Sequence, residues 1–199
     1  GKAGFGSKRE MLGSWGWKIL YEFIAIFNRK IRARVRGVFW RQWTLAACEN
    51  SPLIKTYFII RKTFSGALRT IELSPEQARK DFIGSMQGTD FVLAPKGDGN
   101  YSNRFLEALS MGRIPVLIDT DVVLPFEDKI NYSKIIVRVP MSKVSKTAQY
   151  IRDFYNQLSE EEWRVRQKLA RETFEKYLRQ DSFFSVYFSF TPHSKEIDG

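Results

Sequence analysis

The sequence predicts an α/β fold, a Rossmann-like parallel sheet with helices on both faces. Continuous apolar runs of strand length alternate with segments whose apolar residues recur every three or four positions, as in amphipathic helices. The chain has 199 residues, 43% of them hydrophobic, which is enough to bury a sizeable core without disulfides or metals. The four predicted strands are Thr56–Ile60, Asp90–Pro95, Ile114–Ile118 and Lys134–Val139.

The first quarter of the chain is basic and has a helical pattern. Residues 1–50 hold ten Lys and Arg against three Asp and Glu, so they carry +7 of the net charge of +10. Apolar spacing predicts two amphipathic helices there, Glu10–Arg36 and Val38–Cys48. We therefore divide the chain into a basic amphipathic helical segment at 1–50 that packs on the lobe, a Rossmann-like domain at 51–180 and an aromatic tail at 181–199.

Capping residues mark the helices that follow. Pro75 suits the first position of a helix that Ser74 caps, and Glu162 completes a capping box with Ser159. Gly112 is a good residue to end the helix before it. The predicted helices are Ser74–Met86, Ser102–Met111, Ser142–Leu158 and Ser159–Gln180. The aromatic rings of residues 181–190 are too numerous for us to expect them in water.

Several classes of function are disfavoured by composition. Cys48 is the only cysteine and His193 the only histidine, so an internal disulfide, a Cys/His zinc site and a Ser-His-Asp unit are not expected. No apolar stretch reaches the length of a membrane span. Outside residues 1–50 the net charge is only +3, and no nucleic-acid-binding motif is present, so we expect no nucleic-acid partner.

One strand, glycine-containing loop and helix could bind phosphate. The strand before Pro95 leads into a loop with two glycines, and a helix starts at Ser102. Backbone N–H groups and the dipole at a helix N-terminus favour an anion, and a guanidinium can hold two phosphate oxygens. Glu107 could accept hydrogen bonds from sugar hydroxyls, although Arg104 and Glu107 could also simply pair on one helix face. The candidate binding residues are Lys96, Gly97, Gly99, Ser102, Asn103, Arg104 and Glu107.

The same region carries motifs of a known family. In order along residues 90–132 stand Pro95-x-Gly97, Ser102-x-Arg104-Phe105, Glu107-Ala108-Leu109, Gly112-x-Ile114-Pro115-Val116 and Leu124-Pro125-Phe126. This order and spacing resemble the donor-binding segment of exostosin-type glycosyltransferases. A looser likeness extends over residues 56–180 and includes the predicted strand that ends at Arg61.

The resemblance implies a fold and an activity. It implies the C-terminal, nucleotide-sugar-binding lobe of a GT-B glycosyltransferase, which transfers a sugar from a UDP- or GDP-linked donor to a hydroxyl of a glycan acceptor. Arg104 would be the catalytic residue that stabilises the leaving diphosphate, with Lys96, Ser102 and Asn103 beside it. Arg61 would be a second clamp on the donor, and Glu107 would hold the ribose.

The resemblance also implies a metal-independent reaction without a cofactor. Asp119 and Asp121 form an Asp-x-Asp sequence, but we interpret them as turn-forming carboxylates, because they directly follow a buried strand. The acceptor lobe would be absent from this chain or built by a partner chain.

A non-catalytic module that still binds nucleotide, or that assembles with a partner, is the alternative. The basic face of residues 10–36 leaves open a peripheral membrane contact. The expected location is cytoplasmic, or the Golgi lumen if the chain is a piece of a eukaryotic protein.

Overall fold

The computed structural model describes residues 16, 19–20, 23–24, 34–60, 74–97 and 99–190. Three parallel strands form the sheet in this part of the chain, in the order β1-β2-β3. They are β1 (Phe91–Leu93), β2 (Ile114–Asp119) and β3 (Val137–Pro140). Phe91 is paired with Ile114, and Val116 with Val137. The predicted α/β class and the parallel direction of the strands are confirmed.

Residues 16, 19–20 and 23–24 are helical, and six further α-helices lie in the described residues. They are α1 (Gly37–Glu49), α2 (Pro75–Gln87), α3 (Asn103–Ser110), α4 (Thr147–Asn156), α5 (Glu160–Thr173) and α6 (Gln180–Phe190). Shorter helical turns lie at Tyr132–Lys134 and Met141–Lys146, and a π turn at Phe174–Leu178 joins α5 to the last helix. α3 packs on β1 and β2, whereas α4 packs on β3 and on α1.

The central strand is covered on both faces. Every residue from Ile114 to Ile118 is buried, and successive side chains of a strand point to opposite faces of the sheet. Phe39 and Trp40 of α1 and Phe105 of α3 belong to the same buried cluster. Both faces of β2 are therefore packed, which explains why this strand is a continuous apolar run in the sequence.

The residues predicted to cap or end the helices at Ser74, Ser159 and Gly112 are confirmed. The Ser74 hydroxyl accepts a hydrogen bond from the backbone N–H of Gln77 at 3.2 Å. Ser159 and Glu162 form the complete capping box, with bonds of 3.2 and 2.8 Å. Gly112, just after α3, has a φ of +64°, a conformation that glycine adopts without strain.

The predicted strand at Thr56–Ile60 is wrong, because the segment is irregular and pairs with no strand among the described residues. Tyr57 is 60% and Ile60 58% exposed, so its apolar side chains are not enclosed as those of a central strand would be. An apolar run favours a strand only where a neighbouring strand supplies hydrogen-bond partners. The sheet therefore has three described strands where the sequence predicted four.

Two predicted helix boundaries are also wrong. Ser142 caps no helix; it lies inside the 3₁₀ turn at Met141–Lys146, and α4 begins only at Thr147. The long helix predicted to end at Gln180 ends earlier, because Arg179 has an extended backbone with a ψ of 141°. α6 starts directly after that break.

The first predicted helix, Glu10–Arg36, lies mostly outside the described residues. Its last predicted residue, Arg36, is described and is not helical.

The described part of the aromatic tail, residues 181–190, belongs to α6 and is buried on one side only. Phe183 contacts Phe126, with ring centroids 5.2 Å apart. In contrast, Phe184, Tyr187 and Phe188 are 49%, 53% and 65% exposed. Within this chain, these aromatic rings of α6 are therefore only partly covered.

Cys48 is buried near the end of α1, and burial raises the pKa of its thiol to about 12. The thiol is therefore protonated at neutral pH. Two other predictions fall beyond the described residues, which include neither Arg61 nor His193.

Candidate functional site

The candidate site lies where β1 ends and α3 begins. The backbone N–H of Ala94 continues the sheet by donating to Val116 O at 2.9 Å, and the chain then leaves the sheet as a loop. Ligands of open parallel sheets bind beyond the carboxyl ends of the strands. The loop at 95–102 is at this end of β1 and leads directly into α3.

The loop closes on itself and is held against another helix. The backbone N–H of Gly97 donates to Tyr101 O at 2.9 Å. Gly37, the first residue of α1, packs so closely on the loop that a Cβ there would lie 2.2 Å from Gly97 O. Only glycine fits at position 37 without moving one of the two backbones. The start of α1 therefore fixes the position of this loop.

The N-terminus of α3 carries polar groups next to the loop. Ser102 is the N-cap residue and has an extended backbone, but its hydroxyl accepts no capping hydrogen bond from the helix. Asn103 is exposed, and Ser102 and Arg104 are half-buried. A helix N-terminus has a positive partial charge and unpaired N–H groups, so the first turn of α3 can attract an anion.

Arg104 and Glu107 lie one turn apart on α3. The Arg104 guanidinium lies 5.2 Å from the centroid of the Phe82 ring, an aromatic contact that orients it. Partial burial raises the pKa of the Glu107 carboxyl above its ordinary value, and the charge of Arg104 offsets part of that rise. Burial is the main cause that raises the pKa of the Tyr101 hydroxyl, and the negative charge of Glu107 raises it further. These three side chains therefore form one electrostatically coupled group beside the loop.

A second loop, after β2, supports the first. The Asn100 amide nitrogen donates to the carbonyl oxygen of Thr120, and the Asn100 amide oxygen accepts from the Thr120 hydroxyl. Asp119 accepts a hydrogen bond from the Asp121 backbone N–H at 3.1 Å and also pairs with Arg138 at 3.0 Å. The interpretation of Asp119 as a turn-forming carboxylate is thus confirmed.

A groove of about 480 Å³ runs beside Glu107, between α3 and the last helix. Its walls are mostly apolar: Leu106 lies on one side, and Phe174, Phe183 and Phe184 lie on the other. A carboxylate beside aromatic and aliphatic walls is a suitable environment for a sugar ring or a nucleoside, which presents hydroxyls at one edge and an apolar face.

The structure brings most of the predicted site residues together. Gly97, Ser102, Asn103, Arg104 and Glu107 all lie in the closed loop or on α3, and Gly99 is exposed at the loop surface. Lys96 belongs to the same loop and is only 6% exposed, so its side chain is buried.

Sequence reasoning missed several residues that shape the site, namely Gly37, Phe82, Asn100, Tyr101 and Thr120. Only the position of Gly37, between two segments of helical pattern, offered a signal of a close approach. Phe82, Asn100 and Thr120 depend on contacts between segments that are distant in sequence, whereas Tyr101 interacts with Gly97 and Glu107 nearby in the chain.

The described residues include neither a metal-binding cluster nor a membrane-spanning helix. They contain no group of three or more His, Cys, Asp or Glu side chains arranged to hold a metal ion. No helix in that part of the chain combines the length and the apolar character needed to cross a bilayer.

Comparison with known proteins identifies relatives over about a third of the chain. Exostosin-1 of Drosophila melanogaster is 42% identical over 69 residues, 35% of this chain and 9% of that protein. A probable glycosyltransferase of Arabidopsis thaliana is 33% identical over 73 residues, 37% of this chain and 16% of that protein. A probable glucuronosyltransferase of Oryza sativa subsp. japonica is 44% identical over 65 residues, 33% of this chain and 16% of that protein.

The chain spans less than a fifth of the length of these relatives. No solved structure matches it significantly. The family comparison covers much more of the sequence: the sequence model of the exostosin GT47 domain matches residues 18–154, more than half of the chain. The chain therefore belongs to the exostosin GT47 family.

Proposed function

We propose that this chain is the donor-binding lobe of a glycosyltransferase. The donor is a UDP- or GDP-linked sugar, and the acceptor is a hydroxyl of a glycan. One observation carries the proposal: the closed loop after β1 leads into a helix whose N-cap hydroxyl makes no capping bond and whose first turns hold Arg104 and Glu107. This arrangement, at the carboxyl end of a parallel strand, suits a diphosphate linked to a sugar.

In this proposal the diphosphate lies against the first turn of α3. The backbone N–H groups there, the Ser102 hydroxyl and the Asn103 amide donate to phosphate oxygens, and the Arg104 guanidinium binds two of them at once. Phe82 holds the guanidinium in place through the 5.2 Å ring contact. Lys96 is only 6% exposed, so its proposed role is to add positive charge near the diphosphate and not to contact the ligand directly.

The nucleoside is proposed to extend toward the groove beside α3. Glu107 lines this groove, and its carboxylate would accept hydrogen bonds from the two ribose hydroxyls. Burial raises the pKa of Glu107, and the ribose hydroxyls would replace part of the water that the carboxylate loses. The apolar wall formed by Phe183 and Phe184 would cover the remaining face of the nucleoside.

The chemical step transfers the anomeric carbon from a phosphate oxygen to the acceptor oxygen. The bond from this carbon to the diphosphate breaks, a bond to the acceptor oxygen forms, and the acceptor hydroxyl gives its proton to a general base. Negative charge grows on the departing diphosphate, so donors already fixed around it lower the barrier. Arg104 and the N-terminus of α3 would supply that stabilisation.

Calorimetry with UDP, GDP and pyrophosphate tests the proposal. We expect Arg104→Ala to weaken binding of all three ligands by at least about tenfold, about 1.4 kcal/mol, because each contains the diphosphate. Arg152→Ala, which removes the same charge from an exposed position on α4, is the matched control and should bind like wild type. Equal affinities of wild type and Arg104→Ala would contradict the phosphate role.

Glu107→Ala tests the ribose contact separately. It should weaken UDP and GDP more than pyrophosphate, because only the nucleotides carry ribose hydroxyls. If all three ligands lose affinity by the same factor, the ribose assignment is wrong even though the diphosphate site stands.

A further inference from the structure

The side chain of Asn100 connects two loops at the carboxyl ends of neighbouring strands. Its amide nitrogen donates to the backbone carbonyl of Thr120 at 2.9 Å, and its amide oxygen accepts from the Thr120 hydroxyl. Asn100 belongs to the glycine-containing loop after β1, and Thr120 directly follows β2. Twenty residues separate the two in sequence.

Thr120, the hydrogen-bond partner of the loop after β1, lies in a well-packed segment. It is 1% exposed, at the end of the buried central strand. The segment around it is held by Arg138 of β3, which pairs with Asp119 at 3.0 Å and donates to Val122 O at 3.0 Å. The Asn100 contact therefore links an exposed loop to the rigid part of the sheet.

Only an amide satisfies both partners on Thr120. The hydroxyl needs an acceptor and the carbonyl needs a donor, and the two ends of the Asn100 side chain provide one of each. An aspartate of the same shape would place a carboxylate oxygen against the carbonyl oxygen and lose the donor. This pairing explains the identity of residue 100 without any direct contact to a ligand.

We propose that Asn100 is a positioning residue for the donor diphosphate, an inference that rests on the proposed function. By tying the loop at 96–101 to Thr120, it fixes the path of the chain into α3 before the ligand arrives. Ser102 and Arg104 are then held in the binding arrangement, and the ligand does not have to order the loop. Loss of the tie would weaken diphosphate binding although Arg104 and Glu107 are intact.

Asn100→Asp is the sharpest substitution because it keeps the size of the side chain. We expect the affinity for UDP and for pyrophosphate to fall by a common factor of at least about fivefold, because one hydrogen bond is lost and the new carboxylate repels the diphosphate; the neutral Thr120 variants below isolate the contact. Hydrogen exchange of the ligand-free protein should be faster at residues 96–101 and unchanged in β3. Asn156→Asp, which adds the same charge at an exposed residue of α4, should change neither measurement.

Two substitutions of Thr120 separate positioning from a general loss of stability. Thr120→Val removes the hydroxyl at constant shape and should weaken UDP binding, whereas Thr120→Ser keeps the hydroxyl and should retain the wild-type affinity. Asn100→Asp breaks the hydrogen bond to the Thr120 carbonyl and Thr120→Val breaks the one from the Thr120 hydroxyl. Because both bonds hold the same loop, the double variant should lose less affinity than the sum of the two single losses.

The outcomes distinguish this inference from the proposed function. If wild type binds UDP and Asn100→Asp binds it equally well, the positioning role is refuted and the donor site stands. If Thr120→Ser loses as much affinity as Thr120→Val, the hydroxyl contact is not what matters, and the inference also fails. If wild type binds neither UDP nor pyrophosphate, the proposed function fails and this inference fails with it.

Discussion

Replacing Gly37 by alanine would test how closely α1 approaches the loop of the candidate site. A Cβ at position 37 would lie 2.2 Å from the Gly97 carbonyl oxygen, 2.5 Å from its carbon and 2.6 Å from the Lys96 carbonyl oxygen. All three atoms belong to the backbone, so no side-chain rotation can make room. The helix or the loop itself must move.

The size of the effect follows from these distances. Ordinary contact at such a Cβ begins at 3.4 Å, so one of the two segments must shift by about 1 Å. Forcing an extra methyl group into a packed site costs about 1–3 kcal/mol. Alanine favours the helix by up to about 1 kcal/mol, which offsets part of this cost. We expect a net loss of about 1–2 kcal/mol in the free energy of unfolding.

Gly84→Ala is the matched control for this experiment. Gly84 is an exposed residue of α2, and a Cβ there would meet no atom within 4 Å. That variant should gain about 0.5–1 kcal/mol, because alanine only improves the helix. Denaturant unfolding of the two variants and wild type measures both effects.

The displaced loop should also bind its ligand less well. A shift of about 1 Å in Gly37→Ala would misplace the start of α3, and we expect UDP affinity to fall by at least about tenfold. If Gly37→Ala is as stable as Gly84→Ala and binds UDP like wild type, the close approach of α1 to Gly97 is refuted.

Two further predictions concern capping and pH. Ser159→Ala should lower the free energy of unfolding by about 1 kcal/mol, because it removes a complete capping box. Ser102→Ala should leave stability nearly unchanged and weaken UDP binding, because the Ser102 hydroxyl makes no capping bond. Equal stability losses of the two variants in denaturant unfolding would contradict this prediction. The raised pKa of Glu107 means that the folded protein holds the proton more tightly than the unfolded chain, so its contribution to stability is greatest at low pH and is lost as pH rises through that pKa. Relative to Glu107→Gln, the wild-type thermal midpoint should therefore fall as the pH is raised through the pKa of Glu107, and parallel pH profiles would refute the burial of this carboxyl.

The features that sequence predicted well are those set by neighbouring residues. The Ser74 cap and the Ser159–Glu162 capping box each form between residues three positions apart, so a short stretch of sequence is enough to predict them. The strand at Ile114 was recognisable because burial on both faces demands an unbroken apolar run. The residues from Ser102 to Glu107 were predicted to lie at the start of one short helix, and the structure places them there.

The features that sequence did not predict depend on distant partners. The run at Thr56 has the composition of a strand, but a strand also needs a neighbour to pair with, and its own sequence cannot show that neighbour. The break at Arg179 interrupts a pattern that is helical on both sides. Asn100 contacts Thr120 in another loop, and Gly37 of α1 packs against Gly97, so both contacts join segments that are distant in sequence.

The single thiol offers a direct way to observe the opening of this fold. Cys48 is the chain's only cysteine, it lies on α1, and neither water nor base reaches it readily while the helix is docked. An alkylating reagent should modify Cys48 only in molecules in which α1 has detached from the core. The labelling rate therefore measures how often α1 opens. Because Gly37 at the other end of the same helix abuts the glycine loop, added UDP should slow that labelling when loop and helix open together.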